Sequence, residues 1–413
     1  MDVKDILITK LLCAAIRGKE YTYDVEEPLD WELIFNEALA HQVYTLIYPI
    51  LNKEKNKNNI DRGLLSTWGN TTFLAGIRMS EELEWIEEVI RLLKASNIQV
   101  IALKGIALNS LYPYPELRTM GDADLLIHET DMGRACELLK SLGYIPEKDQ
   151  HGKHVVLYHT THLIIELHRE LVEYDFLKNR EKFNSDVWEN LNTVKLLQET
   201  VEVLSLEMQI IHICVHMAFH TIYGGFGLRQ LCDLVLITER KYNEVDWESV
   251  AKKAKFYGLE KFVTAIFAVC YKLFDMQIPE ALKKESLQDE VYVEKLISDI
   301  FMSGTFGKKD KQRVSANALL NNMEKGNKIS NISRIGRMKD ILFPSYKMMS
   351  IRGRYAYVKK GHIYLPIAWL HRLIYGLQRK DFSWKSKSSI FYDNDITELA
   401  QQRNELLQWL GLK

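Results

Sequence analysis

The sequence predicts an α+β fold in which a small mixed-sheet domain is flanked by helical regions. Two observations predict it. Apolar residues recur at three and four positions before residue 97 and again after residue 185, as in amphipathic helices. Between these regions lie short apolar runs bounded by glycine, proline and other turn residues, as in strands. The expected divisions are 1–97 (N-terminal helical region), 98–180 (α/β domain), 181–302 (helical domain), 303–340 (basic linker or flap) and 341–413 (C-terminal extension).

The composition limits the class of protein. The chain has 413 residues, of which 47% are hydrophobic, enough for a sizeable core and more than one domain. Basic and acidic side chains nearly cancel (54 against 55), so the overall charge favours neither nucleic acid nor an anionic membrane as a partner. The acidic N-terminal segment is unlike a signal peptide, and no apolar run approaches the roughly 18 residues of a membrane span. The five cysteines form no close pairs. We therefore expect a cytoplasmic protein without a membrane partner.

The predicted α/β domain starts where the helical period ends, near Asn97. Short apolar runs bounded by turn residues predict four strands, and the last two are joined as a hairpin at Thr160 and Thr161. The four are Ile98–Leu103, Asp122–His128, His154–His159 and Leu163–His168. Helices are expected after the first strand and from Thr130 to Gly143.

Helical periodicity predicts four further helices beyond the sheet: Val203–Tyr223, Gly227–Lys241, Trp247–Tyr257 and Glu260–Phe274. The segment 303–340 is rich in lysine and arginine, Arg313 among them. Such a segment is either a mobile linker or flap, or a solvated loop without function.

Asp122 and Asp124 are the candidate centre of the site. They begin a strand-like run that continues with Leu125, Leu126 and Ile127. Because side chains alternate along a strand, both carboxylates point to one face, where they can bind a hard divalent ion such as Mg²⁺. A bound cation would also remove the repulsion between the two acids. By itself an Asp-x-Asp pattern is common by chance, as surface acids or in a turn.

Glu166 is the third candidate carboxylate. It lies in an otherwise apolar strand, where an unpaired acid is costly, and alternation puts it on the same face as His168. If this strand lies beside the one that carries Asp122 and Asp124, three carboxylates converge. The alternative is an edge strand with Glu166 in water.

Lys104 and Gly105 end the first strand and open a helix, so backbone N–H groups and the lysine can bind phosphate oxygens there. Arg118 precedes the acids and is a candidate cationic arm for a phosphate tail. Each of these features alone is weak, because Gly often occupies such turns and a loop arginine is usually solvated.

Three histidines, His212, His216 and His220, share one helix face. No glutamate accompanies them in a His-Glu-x-x-His pattern, so protease chemistry is disfavoured and a core or groove-lining role is the alternative. Arg229 and Asp233 are also spaced by four, so they either pair on a helix surface or help to close a cleft.

Taken in order, these motifs resemble the bacterial uncharacterised nucleotidyltransferase branch of the DNA polymerase β-like nucleotidyltransferase superfamily. The motifs are Leu103-Lys104-Gly105, Leu111-Tyr112-Pro113, Arg118, Asp122-Ala-Asp124-Leu-Leu, Glu166-Leu-His168, the helix with His212 and His216, and the helix with Arg229 and Asp233. The likeness covers most of residues 98–375. Lys104-Gly105 departs from the Gly-Ser of better-known members.

The resemblance implies a polymerase β-like catalytic domain that transfers a nucleoside monophosphate from an NTP, such as ATP, to a hydroxyl acceptor and releases pyrophosphate. It implies that Asp122, Asp124 and Glu166 are catalytic residues and bind Mg²⁺ or Mn²⁺, and that Lys104, Gly105 and Arg118 bind the nucleotide. His168, His216, Arg229 and Asp233 are expected to line the cleft. The acceptor stays open, with a small molecule, peptide or protein favoured over nucleic acid.

Two other classes of function stay open from sequence alone. The chain could be a non-catalytic nucleotide-binding module with the same fold, which need not retain all three carboxylates. It could also be a helical RNA-binding protein that uses the basic segment 303–340, although the neutral overall charge disfavours this.

Overall fold

A computed structural model describes most of the chain. The described residues are 2–23, 29–57, 59–147, 154–172, 174, 176–283, 289–305, 361–378 and 394–413, with single residues between 313 and 358. Most of the basic segment 303–340 lies outside them, so its expected role as a linker or flap is not described by the structure.

A seven-stranded mixed sheet holds the centre of the fold, with strand order β3-β4-β5-β2-β1-β7-β6. The strands are β1 (Ile101–Ala102), β2 (Asp122–Leu126), β3 (Ile145–Pro146), β4 (His154–Tyr158), β5 (Ile164–His168), β6 (Asn192–Leu196) and β7 (Glu199–Val203). Strand β2 runs parallel to β5, and β1 runs parallel to β7, while the other neighbours are antiparallel. The predicted fold class, a mixed sheet flanked by helices, is confirmed.

The β6–β7 hairpin extends the sheet beyond the expected α/β region. Its residues 192–203 fall within the range 181–302 that the sequence assigns to a helical domain. Strand β7 pairs with β1, so the hairpin joins the sheet on the side of β1 opposite to β2. The chain therefore completes its sheet only at Val203, immediately before the long helix that follows.

Helices surround this sheet. The N-terminal helices are α1 (Val3–Ile16), α2 (Trp31–Ala40), α3 (Tyr44–Leu51), α4 (Glu54–Lys57) and α5 (Arg62–Ala95). Those between strands are α6 (Lys104–Leu108), α7 (Met132–Ser141) and α8 (Arg180–Asp186). After the sheet come α9 (Leu206–Tyr223), α10 (Leu228–Arg240), α11 (Trp247–Phe256), α12 (Glu260–Phe274), α13 (Glu290–Ser303), α14 (Leu365–Gln378) and α15 (Asn394–Trp409).

Two large hydrophobic clusters stabilise the fold. One joins the N-terminal helices to the helices after the sheet, and the other packs α5 and α7 on the sheet. Helix α9 belongs to the first cluster and is buried along most of its length. Ser205 caps its N-terminus by accepting a hydrogen bond from the backbone N–H of Met208. Ile101 of β1 and Leu126 of β2 also belong to the first cluster, so this core joins α9 to the centre of the sheet.

The C-terminal end of α9 is held by residues far along the chain. Arg403 in α15 and Arg313 both bind the carboxylate of Asp299 in α13. Arg403 also donates to the carbonyl oxygen of Thr221, and Arg313 donates to that of Gly224. Positive charge at the C-terminal end of a helix is favourable because carbonyl groups point outward there.

Arg313 is one of the few residues of the basic segment that the structure describes. Its side chain is fully buried at 0% exposure and lies in the Asp299 cluster, so it is not part of a solvated loop.

Among the described residues, no helix is both long enough and apolar enough to cross a membrane.

Candidate active site

The carboxylates converge because β2 and β5 are adjacent parallel strands. The register puts Asp124 opposite Glu166 and Asp122 opposite Ile164. Since side chains alternate along both strands, Asp122, Asp124 and Glu166 share one face of the sheet. Asp124 is 5% exposed, whereas Asp122, at the start of the strand, is exposed. The site is therefore buried at Asp124 and opens to solvent near Asp122.

Both oxygens of Asp124 have partners. The Nε2 atom of His168 lies 2.7 Å from Oδ1, and the Nζ atom of Lys104 lies 3.1 Å from Oδ2. His168 Nε2 also lies 3.5 Å from Glu166 Oε2. Asp124, Glu166 and His168 have ligand atoms within 4.8 Å of one another, close enough to bind a metal ion.

Charge interactions tune the residues around Asp124. Burial opposes ionisation of Asp124, but Lys104 and the hydrogen bond from His168 hold its pKa well below the ordinary value. Burial alone would lower the pKa of His168, yet its hydrogen bonds to Asp124 and Glu166 raise it. For Lys104, burial also acts to lower the pKa, and the three nearby carboxylates raise it. These groups therefore favour their charged forms.

Asp122 shows that negative charge is in excess. Although the Asp122 side chain reaches solvent, the surrounding protein removes part of its hydration and so raises its pKa, and the charge of Asp124 raises it further; Lys104 and Arg229 only partly offset this. An acid in this state gains from a further cation, and carboxylate oxygens are the ligands that Mg²⁺ and Mn²⁺ prefer. Among the described residues, Asp124, Glu166 and His168 are the group whose ligand atoms lie close enough together for a metal ion, and Asp122 is a further carboxylate on the same sheet face.

The turn between β1 and α6 brings Lys104 to the acids. Lys104 adopts φ +41°, a left-handed conformation that is unfavourable for a residue with a Cβ. At Gly105 an added Cβ would lie 2.8 Å from Nη1 of Arg118, so a larger residue does not fit without displacement. The turn is packed tightly between the carboxylates and Arg118.

Arg118 lies in the protein interior and is not an exposed arm. It is 4% exposed and binds both carboxylate oxygens of Asp233 in α10, at 2.8 and 2.7 Å. The hydroxyl of Tyr112 donates to Asp233 at 2.7 Å. The third guanidinium nitrogen of Arg118, Nη1, is buried without a hydrogen-bond partner. It faces Gly105, and of the atoms that a Cβ at Gly105 would meet, Sδ of Met120 lies nearest and Nη1 of Arg118 next.

Arg229 and Asp233 do not form the surface pair considered from their spacing. Asp233 is taken by Arg118, and Arg229 donates to the backbone oxygen of Thr119. Burial, followed by the charge of Arg118, lowers the pKa of Arg229 to about 10. The two residues instead fasten α10 to the loop that precedes Asp122.

The histidines of α9 face the same site from the opposite side. His212 and His216 line a cavity of about 30 Å³ together with Lys104, His168 and Tyr174. This space is sufficient for a water molecule and not for a nucleotide. Burial lowers the pKa of His212 to about 3, and the charge of Lys104 adds to the effect.

Three aromatic residues near the site were not singled out from sequence: Tyr174, Phe219 and Tyr223. Tyr174 stacks on Phe219 with a centroid distance of 4.4 Å, and Phe219 contacts Tyr223 at 4.8 Å. The spacing of His216, Phe219, His220 and Tyr223 at zero, three, four and seven was the available signal, since these positions share a helix face.

A comparison with known protein families assigns the chain to a family. Residues 27–275, more than half of the chain, match the sequence model of a family described as uncharacterised nucleotidyltransferase. No curated protein matches the chain. Among solved structures, the chain is similar to the lincosamide antibiotic adenylyltransferase LnuA with lincomycin bound, at 15% identity and a TM-score of 0.28. That match covers 38% of this chain and 95% of the other. The chain therefore belongs to the uncharacterised nucleotidyltransferase family and is a nucleotidyltransferase.

Proposed function

We propose that the protein transfers a nucleoside monophosphate from an NTP to a hydroxyl group of an acceptor in a reaction that requires Mg²⁺ or Mn²⁺. The observation that carries this proposal is the surplus of carboxylates on one sheet face. Asp122, Asp124 and Glu166 lie there, and although the charges of Lys104, His168 and Arg229 act on them, the pKa of Asp122 stays raised. Such a surplus suits a cation and the triphosphate that the cation accompanies.

Asp122, Asp124 and Glu166 would hold the divalent ion. When bound, the ion supplies Lewis acidity at the phosphate oxygens and orients the reacting groups. His168 keeps Asp124 ionised and fixes its orientation through the 2.7 Å contact to Oδ1. His168 makes a second carboxylate contact, to Glu166 on its own strand β5, in addition to the contact with Asp124 on β2.

Lys104 is the residue proposed to bind the phosphates. Its ammonium group pairs with Oδ2 of Asp124, and an incoming triphosphate offers it a second anionic partner at the same place. Gly105 allows the backbone to approach closely. Arg118 supports this turn from behind while Asp233 fixes its guanidinium group, so we assign Arg118 a positioning role.

The proposed reaction is a displacement at the α-phosphorus of the NTP. The acceptor hydroxyl oxygen forms a bond to the α-phosphorus, and the bond between that phosphorus and the bridging oxygen breaks. Pyrophosphate leaves, and the hydroxyl proton passes to Glu166. A carboxylate positioned beside the reacting oxygen can act as a general base.

The acceptor proposed is a small molecule, a peptide or a protein. The chain carries a formal net charge of −1, so it has no global positive field of the kind that draws proteins to nucleic acid. Local contacts would have to select the acceptor hydroxyl.

The test is to incubate the purified protein and Mg²⁺ with each labelled NTP and with cell extract. We expect one or more acceptors to become labelled, with pyrophosphate released and both signals lost on adding EDTA. Parallel incubations without extract identify transfer to the protein itself. Absence of label and of pyrophosphate with every NTP would contradict the proposal.

A further inference from the structure

Helix α9 has one narrow stripe of partly exposed side chains. From Met208 to Tyr223 every residue is buried except His216, Phe219, His220 and Tyr223. Phe219, His220 and Tyr223 lie three, four and seven positions after His216, so the four residues form one row along the helix. All four carry rings. We call this row, together with Tyr174, the ring stripe.

The rings of the stripe contact one another. His216 and His220 have centroids 4.3 Å apart, and their Nε2 atoms lie 3.0 Å apart. Phe219 stacks with Tyr174 at an interplanar angle of 23° and is tilted against Tyr223 by 46°. Tyr223 ends the row with 49% exposure. The stripe therefore forms a continuous aromatic surface that reaches solvent.

Both histidines of the stripe favour the neutral form. Burial, with the charge of Lys104 next, lowers the pKa of His216 well below its ordinary value and that of His220 to about 4. Their faces therefore resemble uncharged aromatic rings, with polar nitrogen atoms at the edges. A surface of this kind suits a planar ring that carries hydrogen-bonding groups.

The stripe begins at the proposed phosphate site. His216 and Tyr174 line the same small cavity as Lys104 and His168. The charges of Lys104, Asp124 and Glu166 all act on the Tyr174 hydroxyl, so its ring lies next to the acids. From there the stripe leads past Phe219 to the exposed Tyr223.

We propose that the ring stripe binds the nucleobase of the NTP. This inference rests on the proposed function, which places the triphosphate at Lys104 and the carboxylates. An NTP is the one substrate of that reaction certain to carry a planar ring. A base stacked on Phe219 or Tyr223 would leave its phosphates directed toward Lys104. Stacking acts on every base, so the stripe by itself would select a base only weakly.

Binding measurements on the full chain test this inference. Calorimetric titrations with ATP and with inorganic tripolyphosphate, both with Ca²⁺ as the divalent ion, compare a ligand that has a base with one that lacks it. The variants are Phe219→Leu and Tyr223→Ala. Tyr271→Ala serves as the matched control, because Tyr271 is a 57% exposed ring on α12, outside the stripe.

We expect each stripe variant to bind ATP about 5- to 150-fold more weakly, since stacking on an aromatic side chain contributes on that scale. Binding of tripolyphosphate should stay within about twofold of the wild type, and the control should match the wild type for both ligands. Thermal unfolding midpoints within about 2 °C of the wild type would show that the variants fold.

Three outcomes would overturn the inference. Unchanged ATP binding in both folded stripe variants would show that the base lies elsewhere. Equal losses for ATP and tripolyphosphate would show that the stripe supports the phosphate site only. Wild-type protein that binds neither ligand would contradict the proposed function itself, and the inference with it.

Discussion

Two charged clusters lie against helix α9, and their charges are unbalanced in opposite directions. Beside its histidine face, three carboxylates surround Lys104 and His168. At its C-terminal end, two arginines surround the single carboxylate of Asp299. The first cluster has an excess of acid, and the second has an excess of positive charge.

The two clusters differ in the groups that balance their excess charge. The arginine surplus is met within the protein, because Arg313 and Arg403 donate to the carbonyl oxygens of Gly224 and Thr221. The acid surplus extends to Asp122, which is exposed and has a raised pKa. A buried charge cluster completed by its own backbone stabilises structure, whereas one that opens to solvent is suited to a ligand.

The largest effect is expected at the acid cluster. Asp124→Asn keeps the shape of the side chain and removes the charge that the divalent ion needs. We expect pyrophosphate release to fall about 1,000-fold or more, with the circular dichroism spectrum of a folded protein.

The matched control for this variant is Glu129→Gln, a carboxamide substitution of a 74% exposed side chain. It should keep wild-type activity. Full activity of the Asp124→Asn protein would refute the assignment of the acid cluster as the catalytic centre.

The arginine cluster should respond in the opposite way, in stability. Asp299→Asn leaves two buried arginines without a carboxylate, so the free energy of unfolding should fall by about 3 kcal/mol in urea titrations. Glu294→Gln on the same helix removes the charge of a side chain that is 46% exposed and pairs with Lys272 at the surface. It should change the free energy of unfolding by less than about 1 kcal/mol. Equal effects of the two substitutions would remove the proposed distinction between the clusters.

A third cluster, Arg118 with Asp233, is expected to affect both stability and activity. Asp233→Asn should cost about 2 kcal/mol of stability, since it leaves the buried guanidinium short of its partner. If Arg118 positions the Lys104–Gly105 turn, the KM for the NTP should rise severalfold as well. Glu239→Gln, on the same helix and paired with Arg17, is the control and should leave KM unchanged. A loss of stability with unchanged KM would restrict Arg118 to a structural role.

The histidine face between the clusters predicts a smaller, pH-dependent effect. The pKa of His212 is lowered from 6.5 to about 3, so below pH 6.5 the unfolded chain binds a proton that the folded chain does not. Its contribution should reduce the free energy of unfolding by about 1 kcal/mol on going from pH 6.5 to 5.5. Urea titrations of His212→Gln should show a shallower dependence in this range than the wild type. An identical dependence would contradict burial of a neutral His212.

Much of the sheet could be predicted because its strands follow simple patterns. Alternation predicts β2 and β5 nearly to the residue, and it puts Glu166 on a face that can meet Asp124. The β6–β7 hairpin was missed for a physical reason. Its turn has Leu197 at φ +48°, where glycine or asparagine is usual, so the sequence contains no turn signal there. Charged residues such as Lys195 and Glu202 further interrupt the apolar pattern.

The surroundings of the site were harder to predict than its centre. Arg118 and Asp233 are 115 positions apart, and Asp299 and Arg403 are 104 apart, so no local spacing indicates either pair. When the partner of a buried arginine is distant along the chain, the local sequence does not distinguish that arginine from a solvated one. Local patterns reveal the residues that share a strand or helix, whereas tertiary packing decides which charges are neutralised.

The strained backbone conformation of Lys104 depends on the ion pair that its side chain makes with Asp124. Glycine would adopt φ +41° without strain, while lysine gives up about 1 kcal/mol there. The substitution Lys104→Gly would relieve this strain but leave the buried carboxylate of Asp124 without its ammonium partner, so it should lower both stability and nucleotide transfer. The strained turn is thus held by the same ion pair that brings the ammonium group to the carboxylates.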